Sequence, residues 1–324
     1  MKNIAILFAS LFTICFTANA RITYELSEKG ALAKVRFKVV DQDGVAVPSA
    51  KIWGGFTCGN RLDDYVLVDG VTSTNGEYIV QGKCNEFLRV DVIKEGYYQT
   101  EEKIYFARSK ADPIVVDGKW QPYGETRRVV LNKIKNPYAV MALNEKQCHH
   151  RIPVFGQWLA FDMELSDWLS PYGKGVHDDV LLRFRKKLTD KWCDFAFSME
   201  ACFTNNPYAG IYIKQLNDYS DLKTEYFADT NAAYCTHYTF SLDSVSKKQS
   251  GLDESSYLVF RTRTRVDDKG KLVGAHYGKY CRGWRSNEKE MYFGSACFNP
   301  VENDVNIEGD QTLLYKVRNY KKEK

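Results

Sequence analysis

The chain has 324 residues, 44% of them hydrophobic, 27% charged and 14% aromatic, which excludes a disordered or collagen-like polymer. A mean hydropathy of -0.42 excludes a protein built mainly of membrane spans. With 45 Lys+Arg against 41 Asp+Glu, no strong field exists to recruit nucleic acid, and the length predicts two domains.

The first twenty residues read as an address. Lys2 is the positive start, Ile4 to Phe16 carry no charge, and Ala18-Asn19-Ala20 is the small-x-small pattern of a cleavage site. A signal peptide over 1–20, cut after Ala20, is therefore expected, giving a secreted or periplasmic protein. No later stretch reaches the roughly 20 apolar residues of a span. Apart from Cys15, eight cysteines remain: Cys58, Cys84, Cys148, Cys193, Cys202, Cys235, Cys281 and Cys297. An even set in an exported chain reads as disulfides, and the absence of any C-x-x-C pair argues against zinc.

From Lys34 the pattern has period two, with Val35, Phe37 and Val39 on one face and Lys34, Arg36 and Lys38 on the other. Asp41-Gln42-Asp43-Gly44 then reads as a turn. Strands follow at Ala50–Phe56, Val66–Val68, Glu77–Gln81, Leu88–Ile93, Lys103–Ala107 and Arg127–Leu131, which together spell a β-sandwich over 21–132. Asn136-Pro137 breaks the chain there. A second all-β domain is expected over 137–324. Its strands are Ile152–Met163, Val180–Phe184, Trp192–Phe203, Ile211–Leu216, Tyr234–Leu242, Tyr257–Val266, Lys271–Trp284 and Glu290–Phe298, with a short helix near Ser220–Phe227.

The segments Val39-Val40-Asp41-Gln42-Asp43-Gly44, Pro48-Ser49-Ala50, Thr72-Ser73-Thr74-Asn75-Gly76-Glu77-Tyr78 and Val92-Ile93-Lys94-Glu95-Gly96-Tyr97 resemble the carboxypeptidase regulatory-like family, over about residues 31–108. The resemblance implies a transthyretin-like sandwich of accessory type without catalytic residues. The insertion around Cys58–Gly70 and a Cys58–Cys84 bridge depart from the family. The second half, with Asp167-Trp168-Leu169-Ser170-Pro171-Tyr172-Gly173-Lys174-Gly175 and Phe260-Arg261-Thr262-Arg263-Thr264, is similar to a module of uncharacterised exported bacterial proteins, over about 137–315. That similarity implies shared architecture and nothing about activity.

If the last hairpin turns at Lys289, Cys281 faces Cys297, Trp284 faces Gly294 and Tyr280 faces Phe298, so a Cys281–Cys297 bridge is expected. Cys148, Cys193, Cys202 and Cys235 allow three pairings. In Tyr257–Val266, Arg261, Arg263 and Arg265 alternate with apolar residues and Thr. Such a row is about 14 Å long and suited to sulfate or carboxylate groups, although charges on a strand also prevent edge pairing. Trp53, Trp120, Trp168 and Tyr172 lie in loop-like contexts as candidate platforms for a glycan, while Trp158, Trp192 and Trp284 read as core. Asp178 and Asp179, in His177-Asp178-Asp179, offer oxygen to a hard cation or simply make a solvated loop.

Among catalytic motifs there is no H-E-x-x-H, no G-x-S-x-G and no phosphate-cradling glycine loop, and an even cysteine set leaves no thiol nucleophile. No cofactor is expected. The composite expectation is an exported non-enzymatic protein binding a polysaccharide or protein partner at the envelope or outside. The partner would be an acidic glycan or surface polymer, or an envelope protein. The alternatives are a secreted glycoside-type hydrolase with an acidic pair in the second domain and an assembly subunit joined through sheet edges.

Overall fold

The computed structural model describes residues 30–58, 65–85, 87–106, 115–137, 148–188, 195–203, 208–217, 219–243, 248–250, 255–286 and 289–308. The signal peptide expected over 1–20, and Trp192 and Cys193, lie outside these residues. The protein is all-β, and among the described residues no α-helix forms. It divides into one unit of Met1–Ile134 with Tyr219–Asp221 and a second of Lys135–Asp218 with Leu222–Lys324. The helix expected near Ser220–Phe227 is extended chain instead. Its amides and carbonyls are used elsewhere, Asp221 N donating to Gln99 O within the first unit and Ile307 N to Tyr226 O within the second.

The first unit contains β1 (Ala31–Asp41), β2 (Lys51–Thr57), β3 (Tyr65–Val71), β4 (Glu77–Cys84), β5 (Phe87–Ile93), β6 (Thr100–Tyr105), β7 (Val115–Val116), β8 (Lys119–Trp120) and β9 (Glu125–Leu131). One sheet has β1 at its centre, antiparallel to β4 on one side and parallel to β9 and β8 on the other; the second runs β3-β2-β5-β6. The period-two pattern of β1 sends Val35, Phe37 and Val39 inward, where they meet Ile52, Phe56, Leu88 and Val90 of the facing sheet. Two sheets sharing one apolar filling make a sandwich. The first turn closes as its residues require. Gly44 adopts φ 81, and Asp41 Oδ1 accepts the amides of Asp43 and Val45 at 3.0 and 2.9 Å. β7 and β8 form a small hairpin on Asp117-Gly118, both at positive φ, which is the geometry an Asp-Gly pair favours.

The second unit contains β10 (His149–Arg151), β11 (Trp158–Asp162), β12 (Asp167–Trp168), β13 (Val180–Leu188), β14 (Phe195–Cys202), β15 (Gly210–Gln215), β16 (His237–Asp243), β17 (Lys248–Ser250), β18 (Ser256–Val266), β19 (Leu272–Ser286) and β20 (Glu290–Asn299). They form the sheets β10-β20-β19-β18-β15 and β12-β11-β13-β14-β16-β17. Phe161, Phe184, Phe197 and Met199 of one pack against Phe260, Tyr280, Trp284 and Phe293 of the other. The strand expected over Ile152–Met163 is interrupted because Pro153 cannot donate to a ladder and Gly156 turns at φ 84. The outer face of the β15–β20 sheet is also buried. Tyr257, Val259, Ala275 and Tyr277 lie with Ala228 and Ile307 of the segments around them. Burial on both faces explains why the first half of β18, Tyr257–Phe260, reads as continuous apolar sequence.

The last hairpin is out of the expected register. Cys281 pairs with Ser295, Lys279 with Cys297, Tyr280 with Ala296, and, past an irregularity, Trp284 with Phe293. Cys281 and Cys297 are therefore diagonal, and both are free thiols. Phe260 covers Gly278, where a Cβ would come within 2.1 Å of the ring, so an aromatic lid on a cross-strand glycine does occur, one strand away. Cys58 is likewise a free thiol, so it forms no bridge with Cys84. Each thiol turns to a backbone carbonyl, of Phe56 and Phe87 respectively, and they end strands of different sheets.

Candidate binding cleft and the residues expected to bind

The arginine row does not form. A register shift between Thr262 and Arg265, with Arg263 at φ 50, destroys the alternation that would have aligned the three side chains. Arg261 is buried. Its Nε and Nη1 donate to the carbonyls of Tyr208 and Thr230 at 2.6 and 3.1 Å, and its guanidinium lies 3.8 Å from the Tyr234 ring centre. Arg265 makes a two-point, exposed pair with Glu302 at 2.8 Å. Arg263 reaches three carboxylates: Asp179 through Nε and Nη2 at 3.0 and 3.1 Å, Glu164 through Nη1, and Asp162 at 3.4 Å. Three arginines thus serve three separate acceptor groups.

The carboxylates around Arg263 form a structural knot. Asp162 is completely buried. Its Oδ1 accepts the amides of Glu164 and Leu165, and its Oδ2 those of Val176 and His177, all at 2.9 Å. Burial raises its pKa, but the amides of Leu165, His177 and Val176 and the Arg263 charge outweigh it, leaving the group below the ordinary carboxylate range. Asp179 accepts from Met163 N, Thr262 Oγ1 and Arg263. Asp178 is exposed while Asp179 is buried, because neighbours on extended chain face opposite ways. They do not converge on a cation, and no cluster of three or more His, Cys, Asp or Glu suited to a metal occurs among the described residues.

Trp168 is not a platform. It is 4% exposed, donates Nε1–H to Arg151 O at 3.0 Å and packs edge-on against Phe161 and Phe184. Trp120 is also buried, its Nε1 donating to Cys84 O. Tyr172 and Trp53 are exposed as expected. Trp158, expected in the core, is exposed and lies under Arg183 at 4.4 Å, whereas Trp284 is buried.

A concave feature lies in the first unit, at the open side of its sandwich. β6 ends one sheet and β9 ends the other, and between them is a cavity of about 700 Å³ lined by Glu102, Lys103, Tyr105, Arg127, Arg128 and Tyr219, with Ile104 and Thr126. At one end the strands meet, Thr100 Oγ1 donating to Val130 O at 3.2 Å. There the outer edge of β6 carries the segment Tyr219–Asp221, with Glu101 N donating to Tyr219 O. Farther along, no strand among the described residues pairs with the edge. Inside the opening, parity places Glu102 in the row of Thr100 and Ile104, and Arg127 in the row of Val129 and Leu131. Desolvation raises the Glu102 pKa, and the Arg127 charge opposes the shift. Arg127 also donates to Glu125 at 2.8 Å.

The rim is cationic and aromatic. Lys103 lies over the rings of Phe87 and Tyr105 at 4.6 and 4.9 Å, Arg128 is exposed, and Tyr105 and Tyr219 expose their rings. Three cations face one carboxylate among the lining residues. The cleft residues carry a signal in the sequence: charges at core-facing parity in β6 and β9 mark strands that lie at an edge.

No family model matches the chain, and no curated protein matches it. Among solved structures it is similar to a 3-chlorocatechol 1,2-dioxygenase from Rhodococcus opacus (16% identity, 33% of this chain and 62% of that one, TM-score 0.26). It is also similar to the shaft pilin SpaA from Lactobacillus rhamnosus GG (8% identity, 82% and 94%, TM-score 0.23) and to a DUF3823 family protein from Parabacteroides merdae (10% identity, 82% and 98%, TM-score 0.21). The chain spans less than two thirds of the dioxygenase. None of these likenesses transfers a residue or an activity. No helix among the described residues is long and apolar enough to cross a membrane.

Proposed function

We propose that this is an exported, non-enzymatic binding protein that holds an acidic polysaccharide or surface polymer at the cell envelope or outside it, in the β6/β9 cleft. The observation that carries this reading is the cleft lining. Lys103, Arg127 and Arg128 offer charge to carboxylate or sulfate groups, Tyr105 and Tyr219 offer flat apolar faces to sugar rings, and Glu102 offers an oxygen to a hydroxyl. The leader over 1–20 supports export, and the regulatory-like resemblance of residues 31–108 supports an accessory role. The clustered carboxylates of Asp162, Glu164 and Asp179 in the second unit do not serve as a hydrolase's acidic pair in this reading, because all three are engaged by Arg263.

The test is retention of the mature chain on a heparin-type resin and on immobilised uronic-acid polymers. Replacing Lys103 and Arg128 with serine is expected to weaken binding about tenfold at physiological salt, roughly 1.4 kcal/mol. Arg265→Ser, outside the cleft, is expected to leave binding unchanged. Equal retention of the cleft variant and the unsubstituted protein would end the proposal.

A further inference from the structure

The second unit carries a thiol–imidazole pair that cysteine counting does not reveal. β14 and β16 run side by side with Cys202 directly across from His237. The Cys202 Sγ lies 3.3 Å from His237 Nε2, and His237 Nδ1 lies 3.0 Å from Thr236 Oγ1. With Nδ1–H donated to the Thr236 hydroxyl, Nε2 is free to accept the thiol proton. Phe197, Met199 and Ala201 fill the inner face of β14, so Cys202 projects outward; it is half-buried and His237 is exposed. The groups nearest on that face are Leu181 of β13, Glu200 two residues back on β14, and Thr239 of β16. Glu200 is held by Arg183 and Arg185 at 2.5 and 2.6 Å, so its charge is compensated within its own cluster. A nucleophile, a base within reach, and a third group orienting that base are the parts of an activated thiol.

We propose that Cys202 is a nucleophilic thiol that undergoes exchange with small disulfides, His237 accepting its proton. The Cys202 sulfur attacks one sulfur of R–S–S–R as its proton passes to His237 Nε2. A Cys202–S–S–R bond forms as the S–S bond of the reagent breaks, and the departing R–S⁻ takes the proton from the His237 imidazolium to become R–SH. The Cys202 sulfur is oxidised and the leaving sulfur reduced, so no other oxidant is needed. The pair lies on the outer face of the second unit, and the inference is independent of the cleft in the first.

Cys235 supplies an internal control. It is more exposed than Cys202, and no imidazole hydrogen bond holds its thiol. The reduced mature chain is mixed with oxidised glutathione at pH 5 to 9, quenched, digested, and each cysteine's occupancy followed by mass spectrometry. Cys202 is expected to react about tenfold faster than Cys235 at pH 7, and His237→Gln to remove most of that advantage and change the shape of the pH–rate profile. Thr236→Val is expected to give a smaller loss. Faster labelling of Cys235, or a Cys202 rate indifferent to His237→Gln with circular dichroism unchanged, would overturn the proposal. So would isolation of Cys202 already bridged to another cysteine of the chain.

Discussion

Replacing Asp162 with asparagine tests the knot at its centre. The carboxylate accepts four backbone amides, two on each oxygen. An asparagine keeps one oxygen and turns an NH₂ group toward the other pair, so two bonds to a charged acceptor are lost and two donors face a donor. At about 1.5–3 kcal/mol for each bond to a charged group, the loss is about 4 kcal/mol. That corresponds to a fall of about 10 °C in Tm for a unit of this size. The sign of the pH dependence follows from the depressed pKa. The aspartate's advantage is complete above the unfolded value near 4 and fades as pH falls through the lower folded value. The gap between the two proteins should therefore narrow in acid. Urea denaturation followed by tryptophan fluorescence measures the difference, and hydrogen exchange at the amides of Val176 and His177 locates it. Asp178→Asn, with its side chain exposed between the knot residues His177 and Asp179, is the control. A loss below about 1 kcal/mol, or equal effects of the two substitutions, would refute this account of the buried acid.

Other expectations follow from neighbouring residues. His150 is held at a pKa of about 4, chiefly by burial, with Asp167 opposing and His149 assisting, while its Nε2 lies 3.1 Å from Ser166 Oγ. A folded pKa below the unfolded value near 6.5 means stability present above pH 6.5 and lost toward pH 4, by about 3 kcal/mol in all. His150→Asn should flatten that slope in denaturation curves between pH 7 and 4. Tyr280 is fully buried, and its hydroxyl has no hydrogen-bond partner among the described residues. Tyr280→Phe should therefore raise stability by about 1 kcal/mol, measured by urea denaturation. Arg263→Met should lower stability by about 3–5 kcal/mol because it strands the buried carboxylates of Asp162 and Asp179. Arg265→Ser, by comparison, should fall within about 1 kcal/mol of the parent in the same assay.

Alternation in the sequence is enough to place β1, β2 and β5, because each has one face in a core and one outside, and period two is the direct imprint of that condition. The Asp117-Gly118 hairpin is equally explicit but flanked by strands of two residues, too short for any alternation to show. The final hairpin misleads by two positions because an irregularity between Cys281 and Trp284 absorbs residues that a uniform ladder would have paired. Arg263 misleads for a related reason: one residue at positive φ turns a side chain from solvent toward three acids drawn from a distant part of the chain. Asp162 gave only half a sign of its role: the amides of Glu164 and Leu165 lie two and three residues on, but those of Val176 and His177 become neighbours only after the 173–178 segment folds back over the β11–β12 turn. The cleft is legible only in part. The charges in β6 and β9 suggest edges, but which two edges face each other is decided by the order of strands in two sheets.

The mouth of the first sandwich has a consequence for how the molecule behaves in a crowd. A strand from another copy sliding in beside β6 would have to strip water from Glu102 and Arg127, and a desolvated charge without a matched partner costs several kcal/mol. Among the described residues the unit therefore keeps an unzipped seam that resists annealing with its own kind. At high protein concentration that cost disfavours growth of one sheet from copy to copy.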